Sequence, residues 1–343
     1  MIVSLRLSAQ LHSVLRFFCF FYKAKERPYP MNEAKNMPIR RGRLPGALSA
    51  IPAAAPQTYV AKPAWLRKPW RGGRAELGLK KELRELKLHT VCEEARCPNI
   101  GDCFAKRVAT VMIMGGICTR SCKFCAVASG RPLPLDPGEP ARTAHFVAGL
   151  RLRHVVITSV DRDDVADLGS SHFAETIEKV RDVNPRVTIE VLTPDFQGRQ
   201  ACSDAICRAA PHVFNNNLET VRRLTPQVRS VAKYDCSLGV LRYVKAAHPQ
   251  LLTKSGLMLG LGETEAEIEE TLADLREAAC DIITLGQYLQ PSTAHIPVAR
   301  YVHPDEFDRW RDLGLAMGFK RVFAGPYVRS SYLADEVVDG LLS

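Results

Sequence analysis

Apolar residues recur along this chain in two alternating rhythms, and the alternation predicts a fold class before any chemistry is considered. Short apolar runs at 109–114 (A-T-V-M-I-M), 154–160 (H-V-V-I-T-S-V), 187–193 (V-T-I-E-V-L-T), 212–215, 255–261 and 282–285 read as strands. Stretches of helical period lie between or beside them, such as 74–88, 172–183 and 263–279. The last opens with Thr264 and Glu267 at capping-box spacing. Strands this apolar are buried on both faces, which implies a parallel sheet covered by helices. About six strand–helix units follow the first run, so the expectation is a complete or partial β/α barrel. In such a barrel reactive groups gather at the carboxyl ends of the strands. Polar clusters stand there: Thr158, Ser159 and 161–164 after one strand, then Asn215, Asn216, Asn217 and Glu219 after another.

Composition adds one correction to a first impression. With 46% hydrophobic, 24% charged and 7% aromatic residues in 343, the chain reads as globular, and its formal charge of +10 invites a nucleic-acid reading. The charge is local. Residues 1–75 hold 14 Lys/Arg against Glu26 and Glu33, whereas 76–343 hold 33 basic and 35 acidic residues. A nearly neutral body offers no phosphate-tracking surface, so no nucleic-acid partner is expected. The apolar patch at 15–22 is interrupted by Arg16 and is too short to span a membrane. It also makes a poor secretory signal. The basic start resembles a mitochondrial presequence weakly; the preferred reading takes Met31 or Met37 as the true start. Six prolines between 38 and 69 mark residues 38–75 as an extended, mostly unpacked arm, with Trp65, Leu66 and Trp70 available to anchor its end.

The chemistry lies in the cysteines. There are 11, an odd number that fits no disulfide framework. Cys236 and Cys280 read as buried small hydrophobes, and Cys202 and Cys207, at i and i+5 of a helical stretch, do not share a face. Six others form two triplets. Cys92, Cys97 and Cys103 stand in V-C-E-E-A-R-C-P-N-I-G-D-C-F, whose Pro98 and Gly101 read as a loop. Cys118, Cys122 and Cys125 stand in C-T-R-S-C-K-F-C, directly after a strand. Structural zinc asks for four ligands, commonly in C-x2-C pairs, and neither triplet has a fourth at the right distance. A ferredoxin supplies four cysteines per cluster and needs no barrel. Three thiolates per cubane cluster leave one iron open to chemistry.

From about residue 88 to 332 the sequence resembles the radical S-adenosylmethionine superfamily, and within it the lipoyl synthase family. The marks are the C-x4-C-x5-C triplet upstream of C-x3-C-x2-C, V-I-T-S-V-D-R-D-D, I-E-V-L-T-P-D-F, T-K-S-G-L-M-L-G-L-G-E-T, G-Q-Y-L-Q-P-S and V-R-S-S-Y. Three positions depart from the family pattern: Asn216 and Leu333 where His is usual, and Phe104 where Trp is usual. The resemblance implies an α/β fold, a partial (β/α)6 TIM-like barrel of the radical type with extensions at both ends. The expected division is an arm at 1–75, an auxiliary-cluster extension at 76–108, the barrel at 109–300 and a C-terminal extension at 301–343.

The resemblance also implies the chemistry. Cys118, Cys122 and Cys125 hold a 4Fe–4S cluster whose open iron binds S-adenosylmethionine, the source of a 5′-deoxyadenosyl radical. Cys92, Cys97 and Cys103 hold an auxiliary 4Fe–4S cluster, with Ser331 of R-S-S-Y as fourth ligand and Ser330 as rival. That second cluster is sacrificed for its sulfides. Two sulfurs enter at carbons 6 and 8 of an octanoyl chain on a carrier lysine, the clusters and cofactor carrying the hard chemistry in place of any catalytic side chain. Asp161 and Asp163 are candidates for the S-adenosylmethionine pocket, with helix capping as the competing reading for 161–164; Asn215 and Asn217 are candidates on the barrel mouth. Arg329 is read as holding the C-terminal tail in place by pairing with a carboxylate. Implied partners are octanoylated lipoyl carrier domains or a glycine-cleavage H protein, an electron donor such as ferredoxin or flavodoxin, and an iron–sulfur carrier that rebuilds the cluster. No membrane partner is implied. The expected compartment is the cytoplasm, with the mitochondrion as alternative. Another sulfur-inserting radical enzyme and a non-enzymatic cluster carrier are the competing functions.

Overall fold

The computed structural model describes residues 61–67, 73–105 and 109–331, all within one compact unit spanning Pro56–Ser343. The arm expected over 1–75 lies mostly outside the described residues, as do Trp70, Tyr332 and Leu333. Of the proposed anchors, Leu66 is buried and Trp65 packs edge-on to His303, ring centroids 5.0 Å apart.

The strands in chain order are β1 (His89–Thr90), β2 (Thr110–Ile113), β3 (Ile117–Cys118), β4 (Ala128–Ser129), β5 (His154–Ser159), β6 (Thr188–Leu192), β7 (Val213–Asn215), β8 (Leu252–Leu259), β9 (Ile282–Gln287) and β10 (Arg321–Gly325). One sheet runs β1-β2-β5-β6-β7-β8-β9-β10. Every pairing in it from β2 to β10 is parallel, and β1 closes the β2 edge antiparallel. Between successive parallel strands run the helices Glu139–Leu150, Ser170–Val183, Gln200–Arg208, Tyr234–Ala247, Glu265–Glu277 and Pro304–Ala316. This is the expected partial β/α barrel, with six strands beyond the cysteine loop. Thr264 and Glu267 form the capping box reciprocally.

The period-2 alternation of the strands sorts their residues. Ile189 and Val191 of β6, with Val155 and Ile157 of β5, pack outward on Phe146, Phe173 and Ile177 of the helices. Leu257 and Leu259 of β8, with Ile283 and Leu285 of β9, pack on Leu241, Ile268, Leu272 and Phe307. The intervening positions face inward. There Lys254 Nζ donates to Glu190 Oε1 at 2.9 Å, both fully buried, and Asn215 Nδ2 donates to the same oxygen at 3.3 Å. Polar residues thus fill the barrel interior below the mouth because each charge has a partner.

Two expectations need correction. The first cysteine triplet is not a loop throughout: Cys92 lies in the helix Val91–Glu94, capped by Thr90, and Cys103 in the helix Ile100–Ala105. Single turns of helix are too short to show a period. Cys236 is half-buried rather than core, whereas Cys280 is buried as expected; Cys202 and Cys207 lie in a helix as expected, Gln200–Arg208, and both are buried.

Candidate metal and cofactor centre

The loop of the second triplet leaves β3 and returns in β4, which pair in parallel with Cys118 opposite Ser129. Its ends are therefore pinned. Inside it, the Lys123 amide donates to the Val228 carbonyl at 2.9 Å and the Cys125 amide to the Cys122 carbonyl at 3.1 Å. Arg120, between the first two cysteines, is the buried anchor. Its Nε and Nη2 grip the two oxygens of Asp163, each at 2.8 Å, and its Nη1 reaches Asp195 at 2.8 Å and Asp161 at 3.2 Å. One guanidinium so ties the cysteine loop to the loops after β5 and β6.

The thiols fit soft-metal ligation. Cys118 Sγ accepts from the amides of Asp161 at 3.3 Å and Arg120 at 3.4 Å, contacts that favour the thiolate. Burial works the other way, with Asp161 adding to it, and lifts the Cys118 thiol to about 11. Burial likewise lifts Cys125, and burial with Cys97 beside it lifts Cys92, each to about 12. Such thiols keep their protons until a cation displaces them. Among the described residues no three His, Cys, Asp or Glu side chains converge on one point where a single ion would sit. A cubane held by three cysteines would take each thiolate on a separate iron, so its ligands would not meet at one point.

Two cavities meet at this loop. The larger, about 380 Å³, is walled by Cys92, Cys97 and Cys125, by Ser330 and Ser331, and by apolar side chains including Phe124, Leu192, Met258 and Tyr288. The smaller, about 230 Å³, is walled by Cys118, Cys122, Cys125, Asp161, Asn217 and Glu219. Cys125, Phe124, Leu192 and Glu219 line both. Cys103 packs against the core beside Cys92 but lies off both cavity walls.

The two serines differ. Ser330 Oγ accepts from Asn217 Nδ2 at 2.7 Å, and that nitrogen also donates to Glu219 Oε1 at 3.0 Å. Ser331 lines the same cavity with no hydrogen bond to a described residue through its hydroxyl. Asn99 of the first triplet holds the segment in place, donating to the Tyr327 carbonyl at 2.8 Å.

The polar candidates separate as well. Asp161 and Asn217 line the smaller cavity. Burial raises the Asp161 carboxyl to about 6 against the pull of Arg120. Asp163 is consumed by Arg120, Gln197 and Thr119 and lines neither cavity. Asn215 turns below the mouth to Glu190. Neither Asp161 nor Asp163 caps the helix Ser170–Val183, whose N-cap is Gly169. Sequence reasoning missed Arg120, quoted only as part of the C-T-R-S-C run; Glu219, named only as one of a polar cluster, also lines both cavities, its carboxyl raised by burial with Arg229 and Asn217 opposing. Nor was Arg329 found on a carboxylate: it lines the larger cavity and donates to the Val328 carbonyl at 2.6 Å.

Comparison with known proteins agrees with this geometry. The family profile described as "Radical SAM superfamily" matches residues 112–275, and the one described as "N-terminal domain of lipoyl synthase of Radical_SAM family" matches 57–97. A lipoyl synthase of Thermus thermophilus is 56% identical over 278 residues, covering 80% of this chain and 86% of the relative. One of Thioalkalivibrio sulfidiphilus is 54% identical over 287 residues, covering 83% and 90%. One of Azoarcus sp. is 51% identical over 308 residues, covering 88% and 98%. With cysteines of both triplets on the wall of one cavity and identities this high over most of both chains, the protein belongs to the lipoyl synthase family of the radical S-adenosylmethionine superfamily.

Proposed function

We propose that this chain inserts two sulfur atoms, at carbons 6 and 8, into an octanoyl chain amide-linked to a carrier lysine. One observation carries the reading: thiols of both triplets, Cys92 and Cys97 from one and Cys125 from the other, stand on the wall of a single, mainly apolar cavity. When bound, the two 4Fe–4S clusters and S-adenosylmethionine supply the electron, the hydrogen-abstracting radical and the sulfur. The chain's own residues hold and orient. Cys118, Cys122 and Cys125 hold the cluster with the open iron; Cys92, Cys97, Cys103 and Ser331 hold the auxiliary one. Asn217 engages Ser330, which favours Ser331 as the ligand. Asp161, Asn217 and Glu219 face the side of S-adenosylmethionine, and Asp163 acts on that side through Arg120. Phe124, Leu192, Met258 and Tyr288 exclude water and receive the alkyl chain.

In this reading 76–108 serve as the auxiliary-cluster extension, 109–300 as the barrel and 301–343 as the C-terminal extension. The partners are lipoyl carrier domains or an H protein, a ferredoxin or flavodoxin as electron donor, and a carrier that rebuilds the spent cluster. We place the protein in the cytoplasm; no helix among the described residues is long and apolar enough to cross a membrane. The test is anaerobic protein loaded with iron and sulfide, given reductant, S-adenosylmethionine and an octanoyl-lysine peptide. Peptide that gains two sulfurs supports the reading. Deoxyadenosine release without thiolation points to another radical enzyme, and neither product points to a cluster carrier.

A further inference from the structure

The segment after β9 braces the cysteine loop from outside. Residues 288–296 leave the carboxyl end of β9 and cross the mouth; Leu289, Gln290 and Pro291 form part of the wall of the larger cavity. His295 sits at the far end of that crossing. One ring nitrogen, Nε2, lies 2.9 Å from the carbonyl oxygen of Cys125. A carbonyl only accepts, so Nε2 carries the proton. The other nitrogen, Nδ1, lies 2.8 Å from Ser292 Oγ, which in turn accepts from the Ala294 amide at 3.3 Å. The hydroxyl is therefore free to donate to Nδ1, and Ser292 selects the tautomer that serves Cys125.

The surrounding bonds make the brace rigid. The Ile296 amide donates to the Lys123 carbonyl at 3.0 Å, two residues before Cys125. Tyr288 donates its phenol proton to the Ile296 carbonyl at 2.7 Å, and Gln290 Nε2 donates to the His295 carbonyl at 2.8 Å. Arg96, next to Cys97, reaches the Pro291 carbonyl at 3.5 Å. One short segment thus touches the loops of both triplets.

We propose that His295 is a positioning residue for the radical step. It holds the carbonyl of Cys125, and with it the thiol that lines both cavities, at a fixed place relative to the wall that receives the alkyl chain. The inference rests on the ligand role assigned to Cys125 above. Groups behind a metal ligand set its orientation, and reacting atoms displaced by about 1 Å lose rate heavily. His295 touches no substrate. Its loss lets the radical site and the wall drift apart, so cofactor is cleaved without sulfur transfer.

The variants His295→Gln and His295→Asn separate this role from general folding. Glutamine places its amide nitrogen where Nε2 stands and still donates to Cys125; asparagine is too short. The loaded protein is examined anaerobically in two ways. Hydrogen exchange read by peptide mass should rise at least about threefold in 121–127 and 290–296 for His295→Asn, with β5 and β6 unchanged, and stay at wild type for His295→Gln. Deoxyadenosine released per sulfur inserted should rise at least about threefold for asparagine and be restored by glutamine. Unchanged exchange in His295→Asn, or raised exchange with an unchanged ratio, overturns the inference. A wild-type protein that transfers no sulfur refutes the proposed function instead, and the brace is then judged by exchange alone.

Discussion

The carbonyl oxygen of Val328 passes over Gly286 so closely that a Cβ on Gly286 would stand 2.1 Å from it. Gly286 lies near the end of β9 on its inward face, and the R-S-S segment that follows Val328 forms a wall of the larger cavity. Gly256 of β8 is crowded in the same way: its Cβ would meet Ser330 Oγ at 3.0 Å and Asn217 Oδ1 at 2.9 Å. Two glycines are the floor on which the C-terminal segment rests. Gly286→Ala should push that segment outward. Thiolation should fall more than about tenfold while deoxyadenosine release persists, since overpacking at a backbone contact costs about 1–3 kcal/mol and cannot be absorbed by a side chain. Iron content and both products, measured on one preparation, check it.

The hydroxyls of Ser330 and Ser331 give a second prediction. Ser330 is occupied by Asn217 at 2.7 Å. Ser331→Ala should abolish thiolation and lower iron content, whereas Ser330→Ala should retain most of both. Equal loss in the two variants would exchange their roles.

Arg120 gives a third. It is 3% exposed, paired with Asp195, itself 3% exposed, and with Asp163. Removing one partner of a buried pair strands a charge and costs about 3–5 kcal/mol. Arg120→Met should lower the urea midpoint strongly. Pairing it with Asp195→Asn should recover part of the loss, and additivity in that double-mutant cycle would show that the pair is not coupled.

Asp281, just before β9 and so at the end of that strand opposite the mouth, gives a pH dependence. Burial raises its carboxyl, but Lys245 at 2.7 Å, the Thr253 amide at 2.9 Å and Lys320 at 2.9 Å outweigh burial and hold it below the ordinary carboxylate value. The unfolded chain therefore takes up this proton first as pH falls. The stabilisation is complete above about pH 4 and is lost as pH drops through the depressed native value. Urea midpoints should decline below about pH 4 in the wild type, and the Asp281 share of that slope should vanish in Asp281→Asn.

Much of this molecule is legible in its sequence because strands buried on both faces are nearly all apolar. What escaped has physical causes. β10 pairs only with β9 at the sheet edge, and among its residues only Val322 is buried. β8 begins at Leu252, earlier than its apolar run, because Lys254 is neutralised inside the barrel by Glu190, 64 positions away. Partners remote in sequence also hid the division among the polar candidates. Asp161 and Asp163 look alike until Arg120 is seen to hold one in a two-pronged grip. Asn215 and Asn217 look alike until the strand's end turns one down to Glu190 and the other toward Ser330. The cysteines stand out without such a partner, since the two triplets are grouped within the sequence itself.

In the proposed function two sulfur-bearing centres serve one alkyl chain in one cavity, the second centre giving up its own sulfur. A single turnover by protein rebuilt with isotopically labelled sulfide, followed by mass spectrometry of an octanoyl-lysine peptide, tests it most directly. Product from the wild type should carry two labelled sulfurs, and Cys97→Ala should give none. Deoxyadenosine released beside an unmodified peptide, or thiolation that survives Cys97→Ala, would contradict it.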